Sequence, residues 1–316
     1  MQIFIMVFVT WIVGLVLGRI GIRLLHRLKY GQNVREEGLE SHKVKQGTPT
    51  IGGLIFLATT LVSVLIWSLW QDPAVLYVLV SIVAFSAIGF LDDYLKIVRK
   101  QNEGLTSKQK LLLQFLVAGL LSFWAYTMSS VVVVPFWKAI DFGWLFLPLA
   151  FIMYISITNA VNLTDGADGL ATSVTVIVVA LGAVIAMQTG AIGLFEFSLI
   201  LATSLIAFLA YNWYPAKVIM GDTGSLALGG YIGAVSLMLG IPLFIPIFGI
   251  VYVVENLSVL MQVSYYKRTK KRIFKMAPIH HHFELSGWTE IKIVSVFSAV
   301  TLITCLISFI IWKLSV

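Results

Sequence analysis

Ten mostly apolar stretches, each near the length that crosses a bilayer, follow one another along the chain. They are Ile3 to Leu25, Ile51 to Trp70, Ala74 to Leu91, Leu111 to Met128, Trp144 to Ala160, Leu170 to Met187, Phe195 to Tyr211, Ser225 to Leu239, Ile241 to Gln262 and Ile291 to Trp312. A helix needs about 20 such residues to cross a hydrocarbon core, and only helices or closed barrels satisfy their own backbone hydrogen bonds there. The pattern predicts an all-α polytopic integral membrane protein with ten transmembrane helices. Composition agrees: 59% of the residues are hydrophobic and 12% charged, against about 25% charged in a soluble domain. No basic residue precedes the first run and no small-residue cleavage site follows it, so it reads as a retained span. No linker or repeat divides residues 1–316, which read as a single transmembrane domain.

The connections between runs alternate between basic and nearly neutral. Of the 22 Lys and Arg, only Lys138 and Lys313 fall on the side that holds both termini. The positive-inside rule makes the other side cytoplasmic and leaves both termini external. The net charge of +7 resides in short juxtamembrane segments, which suits anionic lipid or an anionic substrate and not nucleic acid. The only cysteine, Cys305, excludes an intrachain disulfide.

The carboxylates locate a candidate site. Most of the 15 acidic residues lie in loops, where solvation accounts for them. Asp92, Asp93, Asp165, Asp168 and Asp222 instead all stand at cytoplasmic span ends. Asp92 and Asp93 are adjacent where a span leaves the bilayer, a place usually given to Lys or Arg, and two like charges there repel unless a cation holds them. Glu255 lies inside the ninth run, where a carboxylate is expensive and marks a functional candidate; its partner is not named by the sequence.

Three further segments add chemistry on the same face. Asn159 to Gly169 carries Asn159, Asn162, Asp165 and Asp168 between two spans; a capped turn explains it equally well, and the ligand pattern of a calcium loop is missing. Gly221 and Gly224 bracket Asp222 at a helix start, an arrangement that aims backbone N–H groups at an anion while leaving a carboxylate for a cation. His280, His281 and His282 are consecutive and lack a cysteine or a spaced histidine, so phosphate hydrogen bonding fits them better than zinc. Lys45 and Thr50 precede the second run, and Lys96, Lys108 and Lys110 follow the third; anchoring at the membrane surface would also explain these lysines. Magnesium-binding aspartates with phosphate-binding lysines and histidines point to phosphoryl transfer, and no Walker A sequence suggests an ATPase.

These segments resemble the polyprenyl-phosphate N-acetylhexosamine-1-phosphate transferase superfamily. The resemblance rests on Asp92-Asp93 with Lys96, the stretch from Asn159 to Ala171, Met220-Gly-Asp-Thr-Gly-Ser-Leu-Ala-Leu-Gly-Gly230, and Pro278-Ile-His-His-His-Phe-Glu284. With Gly287-Trp288, the histidine run is similar to that of the MraY family, the phospho-N-acetylmuramoyl-pentapeptide transferases. The resemblance covers essentially the whole chain. It implies a bacterial plasma-membrane enzyme with a cytoplasmic active site and Mg2+ as cofactor. The implied reaction moves phospho-MurNAc-pentapeptide from UDP-MurNAc-pentapeptide to undecaprenyl phosphate, giving lipid I and UMP.

By motif position, Asp222 would be the direct metal ligand, with Asp92 and Asp93 close to the metal and the lipid phosphate. Lys96, Lys108, His280 and His281 would bind phosphate, and Lys45, Thr50, Asn159, Asn162, Asp165 and Asp168 would line the nucleoside pocket. A homodimer is a further expectation from the family. Ala167 and Ile219 depart from the larger apolar residues common in the family at those places, which bears on base packing and leaves the metal chemistry untouched. Two alternatives share part of the pattern: a transferase of the same superfamily using UDP-GlcNAc, and a membrane transporter built on intramembrane acids.

Overall fold

The computed structural model describes residues 1–28, 47–99, 101 and 103–316. The described chain is dominated by helices: α1 (Gln2–Arg27), α2 (Gly53–Ile66), α3 (Pro73–Arg99), α4 (Ser107–Met128), α5 (Phe146–Thr164), α6 (Leu170–Gln188), α7 (Ile192–Asn212), α8 (Gly221–Met238), α9 (Ile245–Phe248), α10 (Ile250–Thr269), α11 (Ile279–Glu284) and α12 (Glu290–Ser315). Helical structure occupies every one of the ten predicted runs. Seven of these helices are long and apolar enough to cross a membrane, counting α5 with the short turn that leads into it. An eighth is reached if Pro242–Phe248 and Ile250–Thr269, bent by 82° at Gly249, form one span.

The two remaining runs differ for physical reasons. The run from Ile51 to Trp70 yields the 14 residues of α2, because Ile51 and Ser68 adopt left-handed backbone (φ 62° and 54°) on either side of it. At about 1.5 Å per residue such a helix is shorter than the hydrocarbon core. Helix α8 begins at Gly221, before its apolar run, and carries Asp222 and five glycines among its 18 residues. Every residue from Thr223 to Leu237 is buried. A helix surrounded by protein has no need of a lipid-facing side, and α8 is the hub of the bundle, packed against α3, α5 and α6.

Small residues permit that packing. A Cβ at Gly229 would stand 2.5 Å from the Thr158 Cα of α5, and one at Gly233 would meet the Tyr154 ring at 2.7 Å. A Cβ at Gly89 of α3 would collide with the Asp222 backbone carbonyl, so the two helices touch main chain to main chain where the carboxylates lie. Hydroxyl pairs join neighbouring helices elsewhere: Tyr77 with Tyr154 at 2.6 Å, Ser198 with Tyr231 at 2.8 Å and Thr175 with Tyr252 at 2.7 Å. Such bonds contribute roughly 0.6 kcal/mol each within a membrane. At the opposite end from the aspartates, β1 (Val131–Val133) pairs antiparallel with β2 (Ala139–Asp141) in a small hairpin between α4 and α5.

Candidate active site

The site is assembled at one end of the bundle from the C-terminal turns of α3 and α5 and the first turns of α4 and α8. Helix α3 continues two turns past its apolar run, so Asp92, Asp93 and Lys96 are presented on a continuous helix beyond the hydrophobic segment. Helix α4 starts with a capping box. The Gln109 N–H donates to Thr106 Oγ1 at 3.3 Å, and the Thr106 N–H donates to Gln109 Oε1 at 3.0 Å. That cap fixes the turn from which Lys110 projects.

Asp92, Asp93 and Asp222 each offer a carboxylate oxygen, and these oxygens lie within 4.8 Å of one another. Asp93 acts as a clamp on the start of α8: it accepts from the Thr223 N–H at 2.9 Å, the Thr223 hydroxyl at 2.7 Å and the Asp222 N–H at 3.3 Å. It thereby satisfies backbone donors that the first turn of a helix leaves open, and complements the positive end of the helix dipole. Gly221 (φ 75°) is required for the approach, because a Cβ there would meet Asp93 Oδ2 at 2.6 Å and Thr50 Oγ1 at 3.0 Å. Asp92 Oδ1 accepts from the Leu105 N–H at 2.8 Å, which ties the loop before α4 to α3.

Two ammonium groups neutralise part of this charge. Lys96 Nζ lies 2.5 Å from Asp92 Oδ2, 3.6 Å from Asp93 Oδ1 and 3.2 Å from Asp222 Oδ2. Lys110 Nζ lies 2.7 Å from Asp222 Oδ2 and donates to Asn162 Oδ1 at 3.0 Å. The Asn162 amide in turn donates to Asp222 Oδ1 and to Ser225 Oγ, both at 2.9 Å. The donor set consists of hard carboxylate oxygens without sulfur or imidazole, which suits a hard divalent cation.

The remaining sequence-predicted residues surround this centre at different removes. Thr50 stands beside Gly221, and its segment pairs with the approach to α8 through Gly52 N–H to Ile219 O and Gly53 N–H to Met220 O, both 2.9 Å. Asn159, one turn earlier on α5, exchanges hydrogen bonds with Gln114 of α4 at 3.0 and 3.4 Å. Asp168 accepts from the Ala216 N–H at 2.9 Å and donates its own N–H to Glu290 Oε2 at 2.8 Å, joining two loops to α12. Asp165 is half-buried in the same turn. Lys108 is exposed, and Lys110, two residues on, reaches Asp222. Lys45 lies outside the described residues.

Glu255 receives the partner that the sequence does not name. It is 0% exposed, and His280, 1% exposed, places Nδ1 3.1 Å from both of its carboxylate oxygens. The opposite ring nitrogen, His280 Nε2, is buried with no hydrogen-bond partner among the described residues, against Gly166 of the Asp165 turn. A Cβ at Gly166 would overlap that nitrogen. His281 is similarly held, its Nδ1 3.1 Å from Glu284 Oε2. The carboxylates thus orient two imidazoles.

Comparison with known proteins gives a consistent relationship. Residues 75–240 match the family model described as Glycosyl transferase family 4. A phospho-N-acetylmuramoyl-pentapeptide-transferase of Clostridium perfringens (strain 13 / Type A) is 51% identical over 303 residues, covering 95% of this chain and 96% of the relative. Proteins of the same name from Clostridium novyi (strain NT) and Clostridium acetobutylicum are 50% and 46% identical. Both alignments cover 96% of this chain, with 94% and 96% of the respective relative.

Proposed function

The chain belongs to the phospho-N-acetylmuramoyl-pentapeptide transferase family and is a membrane transferase of peptidoglycan synthesis, and from that premise we propose the following reaction and site. With Mg2+ bound, the enzyme transfers phospho-MurNAc-pentapeptide from UDP-MurNAc-pentapeptide to undecaprenyl phosphate, releasing UMP and leaving lipid I in the membrane. The chain is one domain of ten spans in the bacterial plasma membrane, with external termini and the site on the cytoplasmic face. There a soluble nucleotide and a lipid phosphate can both reach it. The resemblance extends the proposal to a homodimer.

The observation that carries the reaction is the convergence of Asp92, Asp93 and Asp222 with Lys96 and Lys110 at one end of the bundle. A divalent cation held by this cluster would supply the positive charge that offsets the negative charge developing during transfer. Asp222, with Asp92 beside it, would hold that ion, while Asp93 holds the start of α8 and so fixes where Asp222 stands. An oxygen of the lipid phosphate attacks the β-phosphorus; the bond from that phosphorus to the bridging oxygen breaks, and UMP departs with it. In this reading Asp92 takes a proton from the acceptor phosphate.

Lys96, Lys108, His280 and His281 bind phosphate oxygens, and His280 Nε2 is the ring nitrogen left without a protein partner for this task among the described residues. Thr50, Asn159, Asn162, Asp165 and Asp168 line the nucleoside pocket. The assay that tests this reading offers purified protein UDP-MurNAc-pentapeptide or UDP-GlcNAc, each with undecaprenyl phosphate and Mg2+. UMP release is expected with the first donor only. Turnover of UDP-GlcNAc alone would assign the protein to the other branch of the superfamily.

A further inference from the structure

We infer that His282 and Gln262 are positioning residues that together fold the connection between α10 and α11 and so set His280 against Glu255. The inference deepens the phosphate-binding part of the reaction proposed above and rests on it for its effect on turnover. Among the described residues, no backbone group of residues 271–277 bonds to another backbone group. Side chains supply the bonds instead. The N–H groups of Ile273 and Phe274 both donate to Gln262 Oε1 at 3.0 Å, and the next, that of Lys275, donates to His282 Nδ1 at 3.1 Å. Gln262 Nε2 donates in return to the Phe274 carbonyl at 3.1 Å. The Phe274 ring stands edge-on to the His282 ring, with centroids 5.9 Å apart. Three successive main-chain donors are thus held by one side chain of α10 and one of α11.

Helix geometry explains the arrangement. Glu255 and Gln262 are seven residues apart, close to two full turns, and lie on one stripe of α10. Glu255 meets His280 Nδ1 at 3.1 Å, and Gln262 holds the loop that leads to that histidine. On α11, His280 and His282 point about 200° apart, so when the first faces α10 the other turns away from it to the loop. Lys275 adds a further tie, its ammonium donating to the Leu285 carbonyl at the end of α11 at 3.1 Å. A backbone N–H can only donate, so His282 Nδ1 carries a lone pair and the neutral ring bears its proton on Nε2. A proton on Nδ1 would set two donors against each other. The Nδ1 atoms of His280 and His281 face carboxylates instead. The third histidine of the run therefore serves the chain as an acceptor, and its loss loosens the loop on which the placement of His280 depends.

The test compares wild type, His282→Asn, His282→Gln and His282→Ala as full chains in detergent. Asparagine brings its amide oxygen near the place of Nδ1, whereas glutamine carries its amide out toward the place of Nε2. Amide hydrogen exchange over residues 271–278 is read by mass spectrometry, and UMP release is measured with UDP-MurNAc-pentapeptide, undecaprenyl phosphate and Mg2+. His282→Gln and His282→Ala should exchange at least about fivefold faster in that segment, the equivalent of one hydrogen bond, and lose at least about fivefold in kcat/KM. His282→Asn should stay within about twofold of wild type in both, and Gln262→Leu should behave like His282→Ala. An Asn variant as impaired as the Gln variant, or exchange unchanged in His282→Ala, overturns the positioning role. Activity lost in all three with exchange unchanged also overturns it and assigns His282 to the substrate. Absence of UMP release by wild type overturns the transferase reading, and exchange, which needs no substrate, then decides the positioning role alone. Should the substitutions unfold the protein, the wild-type ring decides: heteronuclear NMR of the chain labelled at its histidine nitrogens should show His282 protonated on Nε2, and a proton on Nδ1 overturns the inference.

Discussion

Lys110 of α4 donates to Asp222 Oδ2 of α8 at 2.7 Å, across 112 residues of chain. The contact joins two helix starts that meet only in the folded bundle. It places a cation on the same oxygen that Lys96 also faces.

Lys110→Gln should therefore lower kcat/KM more than Lys108→Gln, by at least about tenfold, the equivalent of one charged hydrogen bond. Steady-state UMP release with both substrates varied checks this. Equal losses in the two variants would remove the distinction between the lysines.

Gly89→Ala places a Cβ against the Asp222 backbone carbonyl. Helices α3 and α8 must separate to admit it, at a cost of about 1–3 kcal/mol, the usual range for overpacking. Thermal unfolding in detergent should show a lowered Tm, and residual folded protein should lose activity because Asp222 is displaced. A variant with unchanged Tm would contradict a main-chain contact between the two helices at this position.

Glu255 and His280 form a pair with almost no exposure. Glu255→Gln retains a hydrogen-bonding amide beside Nδ1, whereas Glu255→Ala leaves that nitrogen buried and unpartnered, costing about 1–3 kcal/mol. The expected order of Tm is wild type, then Gln, then Ala. An Ala variant as stable as the Gln variant would show that the imidazole does not depend on this carboxylate.

Direct attack by the lipid phosphate leaves no phosphoryl group on the protein. Single-turnover quenching with donor labelled on the β-phosphate should give labelled lipid and unlabelled protein. Recovery of a labelled aspartyl peptide would establish the covalent route instead.

Much of this centre is legible in the sequence, because carboxylates at span ends contradict ordinary membrane patterning and so single out Asp92, Asp93 and Asp222. Asn162 is similarly marked by its place between two spans. The choice between Lys108 and Lys110 is not legible: two residues apart on a helix they point about 200° apart, and only the docked position of α4 decides which meets Asp222. Nor is the partner of Glu255, since His280 returns to it across a 25-residue separation and through a loop with no fixed period. The division of labour within the aspartate pair is also hidden. Adjacent residues on α3 meet different neighbours, and the structure gives Asp93 to the start of α8 while Asp92 keeps one oxygen toward Lys96. Boundaries failed where backbone geometry overrode hydropathy, as at Ile51 and Ser68 around α2.

The most direct test of the central claim compares UMP release by wild type and Asp222→Ala, each purified and shown to unfold at a similar temperature, with UDP-MurNAc-pentapeptide, undecaprenyl phosphate and Mg2+. Wild type should turn over, and the variant should lose at least about 1,000-fold in kcat, as expected when the main electrostatic support of a phosphoryl-transfer transition state is removed. A variant within a few-fold of wild type would contradict the assignment of the Asp92, Asp93 and Asp222 cluster as the centre of transfer.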